Sequence, residues 1–445
     1  MTTIRKFLTN PGVDEMPTTA DVIIIGGGPA GTAALWAIER AAPGTKTVLI
    51  EKSDRLGAGS SLASLENFRT CWPALPLAKQ MQRSVEVFHN ADEYLGEDAA
   101  RSIALKQRGY LFCAVTPAGA DTLKQDVKRL HEIGLSHIEY LNADEVRYHF
   151  GWVGEKVIAA KYDPTAGWLD SNALIYKYAQ SAASSQILLG IQDVQICIEG
   201  GKITGVQTPN GRIAAPKVVI AAGASARAIG RTAGIELPII IRPRQSFTTG
   251  WRHAEFPEHA PMIIGAAPFP HVRPEAQTGA IFGWEYTWHS KHAGESYGTN
   301  HAHDAMIDPM YPAAPLKDPR FPSIALALLA RQFDHHDGQG FSDPRYLRGI
   351  SHNIGYYVYR DESTAYSIDA SGNYHPYDSE RAIIDAHPAV EGLFLSIAHV
   401  GHGIMSSPAA GEILASKVLG LPLPDPDYAA FGLDANWVEY DEGVL

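Results

Sequence analysis

A glycine-rich turn between an apolar strand and a helix constrains this chain more than any other segment. Residues 21–25 form a short, β-branched, apolar run, which is typical of a parallel strand buried on both faces. The turn that follows has G-x-G-x-x-G spacing and comprises Gly26, Gly28, Pro29, Ala30 and Gly31. These glycines permit a tight turn, close approach of the backbone to a pyrophosphate, and close packing of helix on strand. The helix predicted from residue 32 onward would direct its positive end at that pyrophosphate.

A carboxylate stands at the end of the second predicted strand, residues 47–51. Glu51 follows Gly31 by twenty residues, and Lys52 comes next. A carboxylate at this place accepts hydrogen bonds from a ribose diol and repels a 2′-phosphate, which favours FAD or NAD over NADP. No second fingerprint occurs later in the chain, so we expect one dinucleotide. These residues alone leave FAD and NAD open.

Length, composition and charge limit the class of protein. The chain has 445 residues, of which 45% are hydrophobic and 19% charged, which predicts a globular protein of two or three domains. A net charge of −12 makes nucleic acid and anionic membranes poor partners. No apolar run is long enough to span a membrane. The three widely spaced cysteines give no disulfide framework, and residues 1–19 are typical of a loose leader, so we expect a cytoplasmic protein.

A second glycine turn lies near the C-terminus. Residues 392–398 predict a strand, and a turn at 399–407 leads into a helix. Ser407 is the expected N-cap with Pro408 at the first helical position, and Gly420 is expected to end the helix. The positive end of this helix would suit the flavin edge that gains negative charge on reduction.

Several segments, in order along the chain, together resemble one enzyme family. Besides the first fingerprint, they are residues 167–174, 201–208, 218–224, 242–245, 271–275, 383–388 and 401–404. The ordered set resembles the D-amino-acid-oxidase (DAO) superfamily of FAD enzymes over residues 20–420. The glycine oxidase, sarcosine oxidase and dimethylglycine or sarcosine dehydrogenase branches are the most similar.

This resemblance implies an α/β (α+β overall) fold with two interleaved units. One is a Rossmann-like FAD-binding domain at 20–90, 150–242 and 376–425. The other is a substrate domain at 91–149 and 243–375, built on a mixed, largely antiparallel sheet. Residues 426–445 would form a C-terminal tail.

The resemblance also assigns residues to FAD. Gly26, Gly28 and Gly31 would hold the pyrophosphate and Glu51 the ribose, with Pro29, Ala30 and Lys52 beside them. The remaining implied contacts are Ser60 and Ser61 near phosphate and flavin, Val194 at adenine, Ala222 and Gly223 on the adenosine side, and Gly401, His402, Gly403, Ile404 and Met405 along the isoalloxazine and ribityl.

The loop at 59–69 departs from the sarcosine-oxidase pattern. Leu62 and Glu66 stand where that pattern has histidine and arginine, and Arg69 keeps its last arginine. Because neither the loop histidine nor the later cysteine used for covalent attachment is present, we expect non-covalent FAD. Residues 278–283 lack the lysine that assists oxygen chemistry in some members, which favours a dehydrogenase or a slow oxidase.

Catalytic candidates are few. Arg69, Arg273 and Arg360 are candidates to bind a substrate carboxylate through a bidentate guanidinium, with structural salt bridges as the alternative for each. Tyr359 could line the pocket, and His402 is a minor candidate for a general base. Histidines at 289, 292, 301, 303, 335 and 336 lie in polar loops without cysteine ligands, so we predict no metal site.

The resemblance implies an FAD-dependent amine or amino-acid oxidase or dehydrogenase. It would oxidise the C–N bond of an amino acid or N-alkyl amine to an imine by hydride transfer to flavin N5, with oxygen or another electron acceptor. Three alternatives stay open: an FAD-dependent 2-hydroxy-acid dehydrogenase, an FAD-binding assembly or complex subunit without turnover of its own, and an NAD-dependent dehydrogenase.

Overall fold

The computed structural model describes residues 6–284, 317–334, 340–361, 366–368, 374–376 and 380–435. The strands in these ranges are β1 (Phe7–Thr9), β2 (Val22–Ile25), β3 (Thr47–Glu51), β4 (Asn67–Phe68), β5 (Lys106–Gln107), β6 (Tyr110–Ala114), β7 (Glu139–Asn142), β8 (Ala159–Asp163), β9 (Gly167–Trp168), β10 (Gln186–Leu189), β11 (Gln195–Glu199), β12 (Lys202–Thr208), β13 (Gly211–Ala214), β14 (Val218–Ile220), β15 (Ile239–Thr249), β16 (Met262–Ile264), β17 (Pro270–Glu275), β18 (Gly279–Trp284), β19 (Ser351–Arg360), β20 (Tyr366–Ile368), β21 (Tyr374–Pro376), β22 (Ile383–Ala386) and β23 (Leu393–Ile397). The helices are α1 (Pro29–Ala41), α2 (Leu75–His89), α3 (Ala91–Leu95), α4 (Ala99–Ser102), α5 (Pro117–Glu132), α6 (Ala143–His149), α7 (Ser171–Ser181), α8 (Ala226–Thr232), α9 (Phe321–Phe333) and α10 (Ser407–Leu419).

A seven-stranded sheet carries the glycine fingerprint. Its order is β1-β10-β3-β2-β14-β23-β22, and every neighbouring pair is parallel except β22 with β23. All four residues of β2 are buried, because helices cover one face and a second apolar cluster covers the other. This burial explains why β2 is continuously apolar rather than alternating. Helix α1 packs against α10 and α7 on this sheet.

An eight-stranded sheet forms the second large unit. Its order is β19-β15-β18-β17-β16-β6-β8-β7, and β16 with β6 is its parallel pair among antiparallel neighbours. One face packs on α9 through aromatic side chains such as Phe247, Phe282 and Phe321. The predicted Rossmann-like sheet and the predicted mixed, largely antiparallel sheet are thus confirmed.

The opposite face of the eight-stranded sheet carries a group of polar and aromatic side chains. Residues directly opposite each other on paired strands share a face, and the register pairs Arg242 with Tyr357, Gly283 with His271, and Phe112 with Lys161. We call this surface the polar sheet face; it comprises Arg242, Arg244, Ser246, Gly283, His271, Arg273, Phe112, Lys161, Tyr357 and Tyr359. The side chain of Ser246 donates to the carbonyl oxygen of Ala63 at 2.7 Å, so the loop at 59–69 lies against this face.

Three segments lie in structural elements that differ from their predicted assignments. Strand β1, within the predicted leader 1–19, pairs with β10 at the edge of the seven-stranded sheet. Strand β8, within the segment 150–242 assigned to FAD binding, pairs with β6 and β7 in the eight-stranded sheet. Residues Pro426–Phe431 of the predicted tail form a 3-10 helix. The domain ranges stay a prediction.

Helix α10 begins one residue away from the expected cap. Ser406 occupies the N-cap position, while the hydroxyl of Ser407 donates to the carbonyl oxygen of Ile404 at 2.8 Å. The hydroxyl of Tyr178 lies 3.0 Å from Ser407 Oγ, so packing against α7 fixes this serine inside the helix. Gly420 ends the helix in the left-handed conformation, as predicted.

The described ranges contain no helix long and apolar enough to cross a membrane. Within the same ranges, no group of three metal-ligating side chains is assembled. The six histidines at 289–336 that the sequence singled out lie outside the described residues.

Candidate functional site

The glycine turn has the shape that a pyrophosphate requires. Gly26 adopts φ +119°, which favours glycine, and a Cβ on it would lie 2.3 Å from the carbonyl oxygen of Ala221. A Cβ on Gly31 would lie 1.9 Å from the carbonyl oxygen of Gly26, so only glycine lets α1 approach β2 this closely. By contrast, within the described part of the chain and apart from Gly28's own neighbours in sequence, no atom lies within 4 Å of a Cβ built on Gly28. The backbone is therefore open to a ligand at Gly28, the N-cap of α1.

Glu51 is fixed beside the same turn. Its carboxylate accepts hydrogen bonds from the backbone N–H groups of Gly27 at 2.7 Å and Ser53 at 2.9 Å. Lys52 donates to Ser225 Oγ at 2.8 Å, just after Gly223. The predicted ribose and adenosine residues therefore lie together at the carboxyl ends of β3 and β14, where doubly wound folds bind nucleotides.

The remaining predicted FAD residues border this edge. Val194 is buried ahead of β11. A Cβ built on Gly223 would meet no atom of the described residues within 4 Å other than its neighbours in sequence. Ser60 Oγ donates to the carbonyl oxygen of Tyr356 and accepts from its N–H, both at 2.9 Å, which fixes the 60–63 turn on β19. Ser61, next to it, is buried.

The C-terminal turn meets the polar sheet face. A Cβ on Gly401 would lie 2.5 Å from Cζ of Tyr357, so glycine is needed where this ring crosses the turn. Ile404 and Met405 are buried, and Gly403 is half-buried. The glycine turn, the 60–63 turn and residues 401–405 are the segments at which the sequence predicts contacts with FAD.

His402 is a neutral side chain within this turn. Burial, aided by the positive charge of Arg69, lowers the pKa of His402 to about 3. Its Nε2 lies 2.7 Å from a carboxylate oxygen of Glu380, so the neutral imidazole donates its Nε2 proton there. Because so low a pKa makes the imidazole a weak proton acceptor, His402 is poorly suited to the general-base role.

Arg69 lies next to His402. Its side chain is buried, its Cζ sits 3.9 Å from the ring centroid of Trp72, and that ring meets the imidazole of His402 edge-on at 4.6 Å. Nη1 donates to the carbonyl oxygen of Cys71 at 3.1 Å. The structure therefore brings this arginine candidate to residues 401–405, which we call the flavin turn because the sequence predicts that they contact the flavin.

Trp72 is a residue that the sequence did not single out. It is 5% exposed, and its Nε1–H finds no hydrogen-bond acceptor among the described residues. A buried donor without a partner costs free energy of about 1–3 kcal/mol, so it marks a place where a ligand acceptor fits. Its position three residues after Arg69 was the available signal, but nothing in the sequence shows that the two stack.

Arg273 is held by other groups. Its side chain is 2% exposed, Nη2 lies 3.6 Å from a carboxylate oxygen of Glu66, and Nη1 contacts the carboxylate of Glu275. Nε donates to the carbonyl oxygen of Leu65 at 2.8 Å. Glu66 in turn accepts from the N–H and hydroxyl of Ser171 at 3.0 and 2.7 Å. This network joins the loop at 59–69 to both large units.

Arg360 and Tyr359 point to opposite sides of β19. Arg360 donates to the carbonyl oxygens of Leu433 at 2.8 Å and Gly432 at 2.6 Å, away from the polar sheet face. Tyr359 lies on that face, where its hydroxyl accepts from Nη2 of Arg244 at 3.1 Å. The structure thus separates two neighbouring candidates and adds Arg244, which the sequence placed only within a family motif.

His271 also lies on the polar sheet face. Its Nδ1 donates to the carbonyl oxygen of Phe269 at 3.0 Å, which leaves Nε2 as the acceptor of the neutral ring. Burial lowers the pKa of His271 to about 4. A Cβ on Gly283 would lie 2.1 Å from Nε2, so the ring occupies the space above this glycine. Only the strand register reveals this position.

Comparison with known proteins agrees with this geometry. The DAO family profile, described as FAD-dependent oxidoreductase, matches residues 21–417. An FAD-dependent oxidoreductase domain-containing protein 1 homolog from Drosophila melanogaster is 25% identical over 91% of this chain and 76% of its own length. Mitochondrial dimethylglycine dehydrogenase from Rattus norvegicus is 26% identical, over 54% of this chain and 27% of its own length.

A solved structure shows the same fold. L-proline dehydrogenase from P. horikoshii superimposes with a TM-score of 0.73 at 21% identity, covering 94% of this chain and 97% of that protein. The resemblance inferred from the sequence is confirmed, and FAD, which the residues alone left beside NAD, is the cofactor. The family profile matches residues 21–417, and the glycine turn has the geometry described above. This chain therefore belongs to the DAO family of FAD-dependent oxidoreductases.

Proposed function

We propose that this enzyme oxidises the C–N bond of an amino acid or N-alkyl amino acid to an imine. The similarity to a protein named for dimethylglycine, over half of this chain, supports an N-alkylated amino acid as substrate. Because that match spans 27% of the relative, the relative's whole activity does not carry over directly.

The observation that carries the proposal is the pairing of Arg69 and Trp72. A guanidinium and an indole N–H, both buried, lie beside His402 at the flavin turn. Both are hydrogen-bond donors, and the guanidinium adds a fixed positive charge that suits a carboxylate. Together they form a recognition site for the carboxylate of an amino acid.

The chain supplies orientation and a dry environment for the reaction. FAD, when bound, would supply the oxidising capacity as the acceptor of one hydride, which carries both electrons away from the substrate carbon. Arg69 and Trp72 would hold the carboxylate, which fixes the position of the neighbouring C–N bond. His402 stays neutral and donates to Glu380, so it neither adds charge to the turn nor takes up a proton from the substrate at neutral pH.

We further propose that FAD is non-covalent and contacts the predicted residues from Gly26 to Met405. Cys71 and Cys113 are buried, and burial raises the pKa of Cys71 to about 11, which disfavours thiolate chemistry. Acid precipitation should leave the yellow flavin in the supernatant. All three cysteines are free thiols, which supports a reducing compartment such as the cytoplasm. The electron acceptor would be oxygen or another oxidant.

Anaerobic bleaching of the flavin tests the proposed reaction. We expect glycine, sarcosine, dimethylglycine or proline to bleach the bound flavin, and Arg69→Gln to weaken their binding roughly 10- to 150-fold because a charge-assisted interaction of about 1.5–3 kcal/mol is lost. Arg147→Gln is the matched control, since Arg147 pairs with Asp144 on the surface. Bleaching by 2-hydroxy acids alone would replace the proposal with a hydroxy-acid dehydrogenase. Failure of every amine, amino acid and hydroxy acid would favour a complex subunit without turnover.

A further inference from the structure

Two aromatic–arginine stacks meet at adjacent residues of the flavin turn. In the first stack, Arg69 lies over Trp72, whose ring contacts His402. The second stack consists of Arg244 and Tyr357, and the ring of Tyr357 lies against Gly401. The Cζ atom of Arg244 is 5.5 Å from the ring centroid of Tyr357. Each stack therefore brings a guanidinium close to the same turn, one through His402 and the other through Gly401.

The second stack is part of a larger basic cluster on β15 and β19. Arg244 is 9% exposed and donates to the hydroxyl of Tyr359 at 3.1 Å. Arg242 lies opposite Tyr357 in the strand register, and its Cζ is 5.5 Å from the ring centroid of Tyr359. Two arginines thus share two tyrosine rings, an arrangement that orients guanidinium groups through cation–π contact.

This cluster lies on the side of the sheet that meets the 60–63 turn. Arg242 and Arg244 lie on the polar sheet face, while the other face of the sheet packs on α9. Beneath the cluster runs the 60–63 turn: a Cβ on Gly355, opposite Arg244 in the register, would lie 3.2 Å from Ala63 Cβ. The tyrosine rings orient the guanidinium of Arg244 beside residues 401–405, and a guanidinium offers paired donors that match a carboxylate.

The two stacks differ in the partners that they offer. The Arg69 stack supplies a guanidinium and an indole N–H. The Arg244 stack supplies a guanidinium and a tyrosine hydroxyl. Since the chain carries a net charge of −12, which repels anions at long range, a substrate with two negative groups would need local cations of this kind for each of them.

We propose that the substrate is an amine with two carboxylates, one bound at Arg69 and Trp72 and the other at Arg244 and Tyr359. This inference rests on the proposed function and narrows its substrate to acidic amino acids or N-carboxyalkyl amino acids. The Arg244 stack is then a specificity site that selects the second carboxylate, and C–N oxidation takes place between the two stacks.

Binding of inert acids tests this proposal without turnover. The FAD-loaded enzyme is titrated with succinate and glutarate and with their monoamides, and the shift of the flavin absorbance gives each Kd. We expect at least one diacid to bind 10-fold or more tightly than its monoamide. Arg244→Gln should reduce that ratio to nearly one while leaving monoamide binding within about 2-fold, since a charged contact is lost only for the diacid.

Further variants separate the possible outcomes. Arg69→Gln should weaken diacid and monoamide alike, and Arg147→Gln should change neither. If Arg244→Gln fails to fold, Arg244→Lys, which keeps the charge, and Tyr359→Phe, which removes the second donor, should each retain part of the preference.

Two results would overturn the proposal. One is equal binding of diacid and monoamide by the unchanged enzyme. The other is an equal loss for both ligands in Arg244→Gln, which would mean that both arginines serve one carboxylate. Bleaching by aspartate and glutamate, compared with asparagine and glutamine, is a separate measurement. If no amine bleaches the flavin, the proposed function is contradicted. If acidic amino acids and their amides bleach the flavin equally, only the proposal of a substrate with two carboxylates is contradicted.

Discussion

The pair formed by Arg273 and Glu66 gives a sharp test of how the loop at 59–69 is held. Replacing Arg273 by Met keeps a long apolar stem against Trp168 but removes the guanidinium. The side chain of Arg273 is 2% exposed and that of Glu66 is 24% exposed. Arg273→Met therefore leaves the largely buried carboxylate of Glu66 without this cation. Breaking a buried pair from one side costs about 3–5 kcal/mol. We expect a loss of that size in the free energy of unfolding, measured by urea denaturation with saturating FAD.

A double-mutant cycle isolates the contribution of the pair. Glu66→Gln with Arg273→Met should lose less than the sum of the single variants, by about 0.5–3 kcal/mol, because the second change removes the orphaned charge. Arg147→Met, which breaks the exposed pair with Asp144, should cost at most about 1 kcal/mol.

The same cycle decides between two roles for Arg273. Burial raises the pKa of Glu66 despite its contacts with Ser171 and Arg273, so the carboxylate depends on those partners to stay charged. A loss below about 1 kcal/mol in Arg273→Met, combined with weaker binding of carboxylate ligands, would refute the structural role. It would favour the substrate-binding role that the sequence suggested.

Further predictions concern the two glycine turns and His402. Gly31→Ala should abolish FAD binding, measured by flavin absorbance after desalting, because its Cβ would lie 1.9 Å from Gly26 O. Gly250→Ala is the control and should bind FAD normally, because among the described residues only its neighbours in sequence lie within 4 Å of the added Cβ. Gly401→Ala should weaken FAD binding, because its Cβ would lie 2.5 Å from Tyr357; normal binding would contradict this contact. His402 has a folded-state pKa of about 3, below its unfolded value of 6.5, so its contribution to stability is full above pH 6.5 and falls toward pH 3. The slope of unfolding free energy in this window, at most about 1.4 kcal/mol per pH unit for one group, should be shallower in His402→Asn.

The loop at 59–69 shows how far sequence reasoning reached. Glu66 departs from the family pattern, but only its contacts with Arg273 and Ser171, which are distant in sequence, show its role. Conversely, Arg69 is a candidate through its place in a motif, and the structure sets it beside His402. Local sequence patterns identify candidate residues, but only contacts between distant segments show which groups surround them.

The sequence by itself determined the features that depend on neighbouring residues. These are the glycine turn, the capping of α10 by Gly420, the apolar strands and the α/β class, because backbone conformation and periodicity are local properties. Only the tertiary structure decided which arginines lie on the polar sheet face. Adjacent residues of a strand point to opposite faces, so Arg360 turns toward Gly432 while Tyr359 meets Arg244, and the register of β15 on β19 sets that choice. Strand register depends on packing across the whole sheet, which no local segment encodes.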